Sequence, residues 1–257
     1  MKCITKDVMM ALSRTLFCTE DSDRTQLQKL HFSKASQSDH LILTSTDGYR
    51  LCRCGIPVVD AIAEKVDCIA AADRLDSVRA GLSGYENRDC MLDIEFDTDA
   101  LHVSRPEDRN GECTPTSFRV PYVENFPKYK KILSAASEGA SYFVTRKSML
   151  DPFFSAIEAH PGKCENIEID FQSRPKKVVL ILGDIDFRYT LELEKKGGNS
   201  VRTVVNTSQF LDGLSVVPGE NILVKMRSPS DPIFFCRPEP TKEEDKLSYC
   251  YLFMPMK

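Results

Sequence analysis

The sequence has 257 residues, of which 42% are hydrophobic and 28% are charged, and its formal net charge is -4. A chain of this length can bury a substantial core in one large or two ordinary domains. Its acidic balance argues against a surface coated with nucleic-acid-binding charge. No apolar run reaches the ~18 residues that crossing a bilayer requires, and charged residues interrupt the first segment before a signal-like stretch develops. These features predict a cytoplasmic globular protein.

The ten cysteines are scattered through the chain, and none belongs to a CxxC pair. Cys52 and Cys54 are the closest two, and at strand spacing their side chains share a face. Metal or redox chemistry at this pair would therefore need a partner from a neighbouring strand. The expectation is mostly buried, reduced thiols, with no metal site and no cofactor.

Each half of the chain opens with a short predicted strand followed by an amphipathic helix. The strands are predicted at residues 3–5 and 142–145, and an apolar stripe at helical spacing follows each of them. A threonine, Thr5 in the first half and Thr145 in the second, stands at the expected N-cap position. Pro152 lies inside the second of these helices and predicts that the helix starts or kinks near Asp151.

A strand-rich stretch and a second helix follow in each half. Strands predicted at 27–32 and 41–44 have counterparts at 167–171 and 178–182. The second helix is predicted to begin at an N-cap, which is Asp73 in the first half and Asn206 or Thr207 in the second. Each half closes with a hairpin-like pair of strands that carries the same Arg-Pro-Glu punctuation, and equivalent landmarks recur after about 135 residues.

The repeat predicts an α+β fold of two tandem domains, residues 1–127 and 128–257, each with two helices packed on antiparallel β-sheet. The alternative is a single α+β domain whose similar segments arise from common propensities. Five landmarks that recur in the same order favour the duplication.

Three short motifs stand at 46–51, 126–133 and 251–257. They read Thr-Asp-Gly-Tyr-Arg-Leu, Phe-Pro-Lys-Tyr-Lys-Lys-Ile-Leu and Tyr-Leu-Phe-Met-Pro-Met-Lys. In order and separation they resemble motifs of the bacterial sliding clamp, the beta subunit of DNA polymerase III. The resemblance runs from about residue 5 to the end. It covers the family's middle and last domains, which would correspond to 1–127 and 128–257, and leaves the family's first domain without a counterpart.

The resemblance implies a DNA sliding clamp, a polymerase processivity factor in DNA replication, and not an enzyme. Bacterial clamps close a six-domain ring around duplex DNA from two chains, so chains with two such domains would need three copies, a homotrimer. DNA would be held topologically and without regard to its sequence. DNA polymerase and the clamp loader would bind through short linear peptides.

In the family the three motifs converge on one hydrophobic peptide-binding pocket. Carried over by position, the resemblance implies a pocket formed by Leu27, Thr46, Gly48, Tyr49, Arg50, Leu51, Pro127, Lys131, Ile132, Leu252, Phe253, Met254, Pro255 and Met256. Gly48 permits a tight turn, and the two methionines offer adaptable apolar surface. Arg50 and Lys131 suit an acidic or carbonyl-rich peptide. The alternative is that the methionines are ordinary core residues and that Gly48 belongs to an ordinary hairpin turn.

The resemblance also implies that helices face the DNA. Candidate phosphate-facing residues on these segments are Lys6, Arg14, Arg74, Arg79, Arg146 and Lys147. Acidic residues lie on the same segments, and a solvated face of mixed charge is the alternative. An aromatic pair that DNA-contacting clamps can carry ahead of the first core strand is replaced by Thr25 and Gln26. The expectation is a modest DNA affinity that falls steeply with salt.

Two further alternatives come from other classes of function. The first is a metal-dependent nuclease, suggested by carboxylates that alternate along a predicted strand: Asp93, Glu95, Asp97 and Asp99. Alternation with Ile94 and Phe96 is typical of a half-exposed strand, and no nucleophile–base pair or phosphate-cradling glycine loop accompanies it.

The second alternative is a clamp-derived adaptor or decoy that binds proteins without encircling DNA. In the family the last domain contributes an apolar pair to the ring contact, near the end of its first helix. Ala159 and His160 occupy about that position here, and they form a less hydrophobic surface. Solution mass separates the two, because a trimer supports the ring and a monomer favours the adaptor.

Overall fold

The computed structural model describes residues 1–20, 27–36, 38–60, 64–85, 90–106, 115–138, 141–160, 162, 164–173, 176–238 and 249–256. The chain divides into two compact units, Met1–Pro127 (unit 1) and Lys128–Lys257 (unit 2). Both units combine helices with antiparallel sheet, and the predicted α+β fold class is confirmed.

Unit 1 contains two α-helices and eight strands among its described residues. The helices are α1 (Thr5–Glu20) and α2 (Ala72–Gly81). The strands are β1 (Lys2–Ile4), β2 (Lys29–Lys34), β3 (His40–Thr46), β4 (Arg50–Pro57), β5 (Val66–Ala71), β6 (Met91–Phe96), β7 (Ala100–Arg105) and β8 (Thr116–Pro121). They form two antiparallel arrays, in the orders β1-β6-β7-β8 and β4-β3-β2-β5.

Unit 2 contains three α-helices and nine strands among its described residues. The helices are α3 (Lys130–Ser137), α4 (Asp151–Glu158) and α5 (Thr207–Val216). The strands are β9 (Ser141–Arg146), β10 (Asn166–Ser173), β11 (Lys176–Leu182), β12 (Phe187–Leu191), β13 (Lys195–Gly197), β14 (Val201–Asn206), β15 (Asn221–Met226), β16 (Ile233–Cys236) and β17 (Tyr249–Phe253). Their orders are β12-β11-β10-β14 and β13-β9-β15-β16-β17.

The strand order is the same in the two units. The array β1-β6-β7-β8 corresponds to β9-β15-β16-β17, and β4-β3-β2-β5 corresponds to β12-β11-β10-β14. The duplicated pattern of the sequence is thus a duplicated topology. Unit 2 departs from the expected two helices, because a third helix, α3, precedes its repeat and overlaps the motif at 126–133.

The helix starts differ from the prediction in unit 1. Helix α2 begins at Ala72, with Ala71 as an N-cap that makes no side-chain hydrogen bond. Asp73 therefore lies in the first turn, where a negative charge still favours the helix N-terminus. The Thr5 hydroxyl donates to the Cys90 carbonyl at 2.7 Å instead of accepting from its own helix.

In unit 2 one cap prediction was wrong and two predictions are confirmed. Thr145 lies inside β9, and its hydroxyl donates to the Glu192 carbonyl at 3.0 Å. Asn206 caps α5, because its side chain accepts the Gln209 N–H at 3.2 Å. The predicted start near Pro152 is confirmed, since α4 begins at Asp151 after a 3-10 turn over Lys147–Leu150.

An aromatic cluster forms part of the unit 2 core and holds β17 in place. Phe235 contacts Phe210 and Phe253 edge to face, with ring centroids 5.4 and 5.1 Å apart, and Tyr251 lies 5.5 Å from Phe253. Gly213 of α5 approaches this cluster so closely that a Cβ there would lie 2.7 Å from the rings of Phe235 and Tyr251. A helix that carries a side chain at this position would be pushed away from β17.

Among the described residues, eight cysteines form no disulfide, and seven of these eight are buried. Cys90 is the exception to the expected reduced state, because it is disulfide-bonded. Cys52 and Cys54 lie with their sulfurs 3.9 Å apart, and burial raises the pKa of the Cys52 thiol. Among the described residues no group of His, Cys, Asp or Glu side chains could hold a metal ion, and no helix is long and apolar enough to cross a membrane.

Candidate functional site

A surface groove of about 390 Å³ lies in unit 2 and is called here the unit 2 groove. Its lining residues are Lys131, Ile132, Ala135, Arg227, Ser230, Asp231, Pro232 and Met254. They come from α3, from the loop that joins β15 to β16, and from the segment after β17. The volume lies within the ~300–1,000 Å³ typical of ligand-binding clefts.

Helix α3 presents one face to the groove and anchors itself with the other. Lys131 and Ala135 are four residues apart and share a face of the helix. Leu133 and Tyr129 are buried, and the Leu133 N–H donates to the Tyr129 carbonyl at 3.0 Å. Ile132 remains 50% exposed as a result.

Two consecutive residues of β14 hold the other walls of the groove. The Thr203 hydroxyl donates to the Pro229 carbonyl at 3.0 Å and so anchors the β15–β16 loop. The Met256 N–H donates to the Val204 carbonyl at 2.8 Å and so anchors the segment after β17. Within the loop the Ser228 hydroxyl donates to the Asp231 carboxylate at 2.8 Å. The groove is therefore shaped before a ligand arrives, which lowers the entropic cost of binding.

The groove combines an apolar floor with a charged rim. Ile132 and Met254 are 50% and 37% exposed, although both side chains are large and hydrophobic. Exposed apolar surface of this kind, edged by polar groups, is typical of interaction sites. Lys131 and Arg227 on the rim can hold a carboxylate or carbonyl of a ligand, and the thioether of Met254 adapts to different apolar side chains.

The structure brings three of the predicted pocket residues together in this groove: Lys131, Ile132 and Met254. Leu252 and Phe253 do not line it, because consecutive residues of β17 are buried on both faces of the strand. Pro255 is half-buried and Met256 is exposed just beyond the lining. Since both methionines are exposed, the alternative that they are core residues was wrong.

The sequence motifs missed five lining residues: Ala135, Arg227, Ser230, Asp231 and Pro232. Four of them belong to the loop between β15 and β16, where the sequence Arg-Ser-Pro-Ser-Asp-Pro at 227–232 is a strong turn signal. Loops that follow a rigid strand often carry binding residues, so this signal could have directed attention to the loop. No motif of the resemblance includes it.

The segment 46–51 forms a tightly hydrogen-bonded loop in unit 1, called here the Tyr49 loop. The Asp47 carboxylate accepts the N–H groups of Tyr49 and Arg50, both at 2.8 Å. The Thr46 hydroxyl donates to the Arg50 carbonyl at 2.7 Å and accepts the Gly48 N–H at 3.1 Å. Gly48 has φ of 94°, a left-handed conformation that glycine adopts without steric cost.

Arg50 has a structural role in this loop, and its predicted contact with a peptide stays a prediction. Its side chain is only 5% exposed, and Nε donates to the Asp47 carboxylate at 2.8 Å. The guanidinium lies 5.1 Å from the centre of the Phe17 ring. Tyr49, in contrast, is 62% exposed, so the other residues of the motif build a platform that displays this one side chain.

The remaining predicted pocket residues of unit 1 lie mostly inside it. Leu27, Thr46 and Leu51 are buried, and Pro127 is half-buried. Among the pocket residues predicted in unit 1, Tyr49 is therefore the large apolar side chain that is exposed to a ligand.

Most of the candidate DNA-facing cations have partners within unit 1 or unit 2. Arg79 pairs with Asp76 at 2.6 Å, and Arg146 pairs with Glu194 at 2.8 Å, which raises the pKa of Arg146. Lys147 donates to the Val217 carbonyl at 2.5 Å. Arg74 lies 3.9 Å from Asp73. Lys6 and Arg74 are exposed, and Arg14 is half-buried.

The helices expected to face DNA are acidic as a set. Helices α1, α2, α4 and α5, with the 3-10 turn before α4, carry five basic and seven acidic residues. This mixture agrees better with a solvated face than with a phosphate-binding one. Thr25 and Gln26 lie outside the described residues.

The four alternating carboxylates do not form one row. Strand β6 ends at Phe96, so Asp93 and Glu95 lie on it, whereas Asp97 and Asp99 belong to the following turn. Asp99 pairs with Arg119 at 2.5 Å. The expectation of one continuous strand was wrong because the chain reverses into β7 directly after Phe96.

No protein-family model matches the sequence, and no curated protein matches it. Several solved structures, in contrast, are similar to this chain in fold. A structure assigned as a DNA polymerase III beta subunit of Eubacterium rectale has a TM-score of 0.79 at 16% identity, the sliding clamp of Bacillus subtilis 0.77 at 14%, and the DNA polymerase III beta subunit of Borrelia burgdorferi 0.77 at 18%. The chain has the fold of bacterial sliding clamps.

All of the present chain is covered in these comparisons, but it spans only 65%, 63% and 64% of the three solved chains. The resemblance seen in the three motifs is therefore matched by the fold. The assignment of unit 1 to the family's middle domain and of unit 2 to its last domain stays a prediction.

Proposed function

We propose that this chain is a DNA sliding clamp, a processivity factor that encircles duplex DNA and tethers DNA polymerase and other proteins through short linear peptides. It is a binding protein and not an enzyme. The observation that carries the proposal is the preformed unit 2 groove, which exposes Ile132 and Met254 in a chain with the fold of bacterial clamps.

The chemistry of the groove suits weak and exchangeable binding. Each Leu or Phe anchor of a peptide gains ~1.5–3 kcal/mol on burial against Ile132 and Met254, and ordering of the peptide offsets part of this gain. Two or three anchors then lead to micromolar affinity. A clamp that exchanges partners requires affinities in this range.

Peptide binding is tested by fluorescence anisotropy with a labelled pentapeptide that carries two Leu and one Phe. Ile132→Asp places a charge on the apolar floor, and we expect the affinity to fall at least tenfold. Val59→Asp is the matched control, because Val59 is a similarly exposed β-branched residue in unit 1. Equal binding by wild type and Ile132→Asp would refute the groove as the peptide site.

Ring formation is tested by light scattering on the chain in solution. A mass of three times 29.0 kDa supports a ring of six domains. A strict monomer at high concentration contradicts encirclement of DNA. Binding to short linear duplex that does not weaken with salt also contradicts it, because a topological link needs no tight phosphate contacts.

A second candidate is an adaptor or decoy that binds clamp-binding peptides and never encircles DNA. The acidic balance of the helices and the ion pairs of Arg79 and Arg146 favour it, since they leave few cations for phosphate. A monomer that binds the pentapeptide and loses it in Ile132→Asp would establish this function in place of the clamp.

A further inference from the structure

Unit 1 contains a second groove, of about 890 Å³, called here the unit 1 groove. Its walls are the N-terminal half of β5, the end of β6 with the turn that follows, and residues 122–125. Nothing in the three sequence motifs refers to it. The volume is near the upper end of the ~300–1,000 Å³ typical of ligand clefts, which suits an elongated ligand.

The groove is strongly acidic. Four of its carboxylates are exposed and form no ion pair within the described part of the chain: Glu64, Glu95, Asp97 and Glu124. A fifth, Asp67, contacts His31 at 2.6 Å. Lys65 lies on the same lining, and the Lys29 ammonium donates to the Glu124 carbonyl at 2.7 Å. The excess of negative charge repels nucleic acid and attracts a cationic ligand.

These carboxylates are spread along the groove instead of converging. No group of three acidic, histidine or cysteine side chains in the described residues could hold a metal ion. Several separated positive charges therefore match this lining better than a single metal ion does. This spacing favours a polymer that bears several positive charges.

Two strands, β5 and β6, form opposite parts of the lining. Strand β5 is the last strand of its array, and Val123 and Tyr122 add pairing at Ile69 and Ala70. On β6 the pairing with β1 ends at Asp93, and the Ile94 N–H donates to the Met1 carbonyl at 2.7 Å. The strand continues to Phe96, and Ile94, Glu95 and Phe96 line the groove.

Half-buried apolar side chains lie between the carboxylates. Ile69, Phe96 and Val123 line the groove and are neither fully buried nor fully exposed. Long basic side chains place their methylene stems on such surfaces and extend their charged ends to the rim. The apolar strip and the acidic rim thus recognise the two parts of a Lys or Arg side chain.

We propose that the unit 1 groove binds an extended, lysine- and arginine-rich segment of a partner protein, which lies along the groove with its charged ends at the carboxylates. Contact of the methylene stems with the apolar strip supplies part of the affinity, and the charges select the partner. This goes beyond the proposed clamp function and does not depend on it. Because the carboxylates are exposed, the interaction weakens as salt rises.

The test is fluorescence anisotropy with a labelled decapeptide of alternating Lys and Val, measured on the full chain. We expect micromolar binding at low salt and at least tenfold weaker binding to the variant Glu95→Gln/Asp97→Asn/Glu124→Gln. The control variant Glu138→Gln/Glu158→Gln/Asp184→Asn removes the same charge from exposed positions of unit 2. It should bind the peptide like wild type.

Two outcomes would overturn the proposal. Equal loss of affinity in both triple variants would show general attraction to an acidic protein without a site. Equal binding of a decapeptide of alternating Glu and Val would exclude selection of positive charge, because this peptide carries the opposite charge on the same apolar pattern. Loss of binding confined to the groove variant, together with no binding of the Glu-Val peptide, supports the proposal.

Discussion

Unit 1 and unit 2 share one strand topology but expose opposite chemistry. The unit 2 groove has an apolar floor around Ile132 and Met254, whereas the unit 1 groove is lined by carboxylates. Unit 2 has gained α3, and unit 1 has gained the Tyr49 loop. The duplicated core therefore carries different surfaces, and the residues that we propose to bind ligands differ between the two units.

We expect the largest difference in stability between the two units at the connection between the third and fourth strands of each repeat. In unit 1 this is the Tyr49 loop, where Asp47 and Arg50 form an ion pair with both side chains mostly buried. Asp47→Ala removes the carboxylate that pairs with the mostly buried Arg50 guanidinium, and breaking a buried pair costs about 3–5 kcal/mol. Denaturant unfolding measures this loss.

The matched change in unit 2 is Asp184→Ala, in the 3-10 turn Gly183–Ile185 between β11 and β12. Asp184 is exposed, and we expect a loss below about 0.5 kcal/mol. If Asp47→Ala were equally harmless, the Tyr49 loop would not be held by its ion pair.

The second difference lies where α5 of unit 2 and α2 of unit 1 meet their sheets. Gly213 touches Phe235 and Tyr251, whereas Val78 stands at the same distance from the start of α2. Gly213→Ala should overpack the aromatic cluster and destabilise unit 2 by about 1–3 kcal/mol. Gly183→Ala is the control, because its Cβ would meet nothing within 4 Å. A neutral or stabilising effect of Gly213→Ala would mean that the helix shifts freely.

The two grooves should respond independently to their own ligands. Ile132→Asp should weaken the Leu- and Phe-bearing peptide at least tenfold, or about 1.4 kcal/mol, and leave the Lys-Val peptide unaffected. The triple variant of the unit 1 groove should do the reverse. Anisotropy titrations with both peptides on both variants check this, and a shared loss would show that the units do not bind separately.

The smallest effect is expected at Glu220 of unit 2. Hydrogen bonds from the hydroxyl and N–H of Ser148 lower the pKa of this carboxyl from its usual 4.5. Its stabilising contribution is therefore present above about pH 4.5 and is lost as the pH falls through the lowered pKa. Wild type and Glu220→Gln should differ slightly in unfolding free energy at neutral pH and converge in acid. A difference that persists at low pH would contradict this.

The sequence by itself determined the α+β class, the duplication and the start of α4. These features follow from apolar periodicity and from Pro152, which act locally. It also selected Ile132, Lys131 and Met254, because their motifs are short and contiguous. Tertiary structure decided the rest, since Arg227 and Asp231 reach the groove only after β14 holds their loop in place.

The Tyr49 loop also shows that a sequence motif does not determine which of its residues are buried and which are exposed. Five of the six residues of the motif Thr-Asp-Gly-Tyr-Arg-Leu were predicted to line the pocket, yet Arg50 turns inward to Asp47 and Phe17 while Tyr49 points to solvent. Sequence patterns identify which residues act together. Which of them are buried and which meet a ligand depends on packing between elements distant in the chain, because only that packing decides where charge is compensated and where apolar surface stays open.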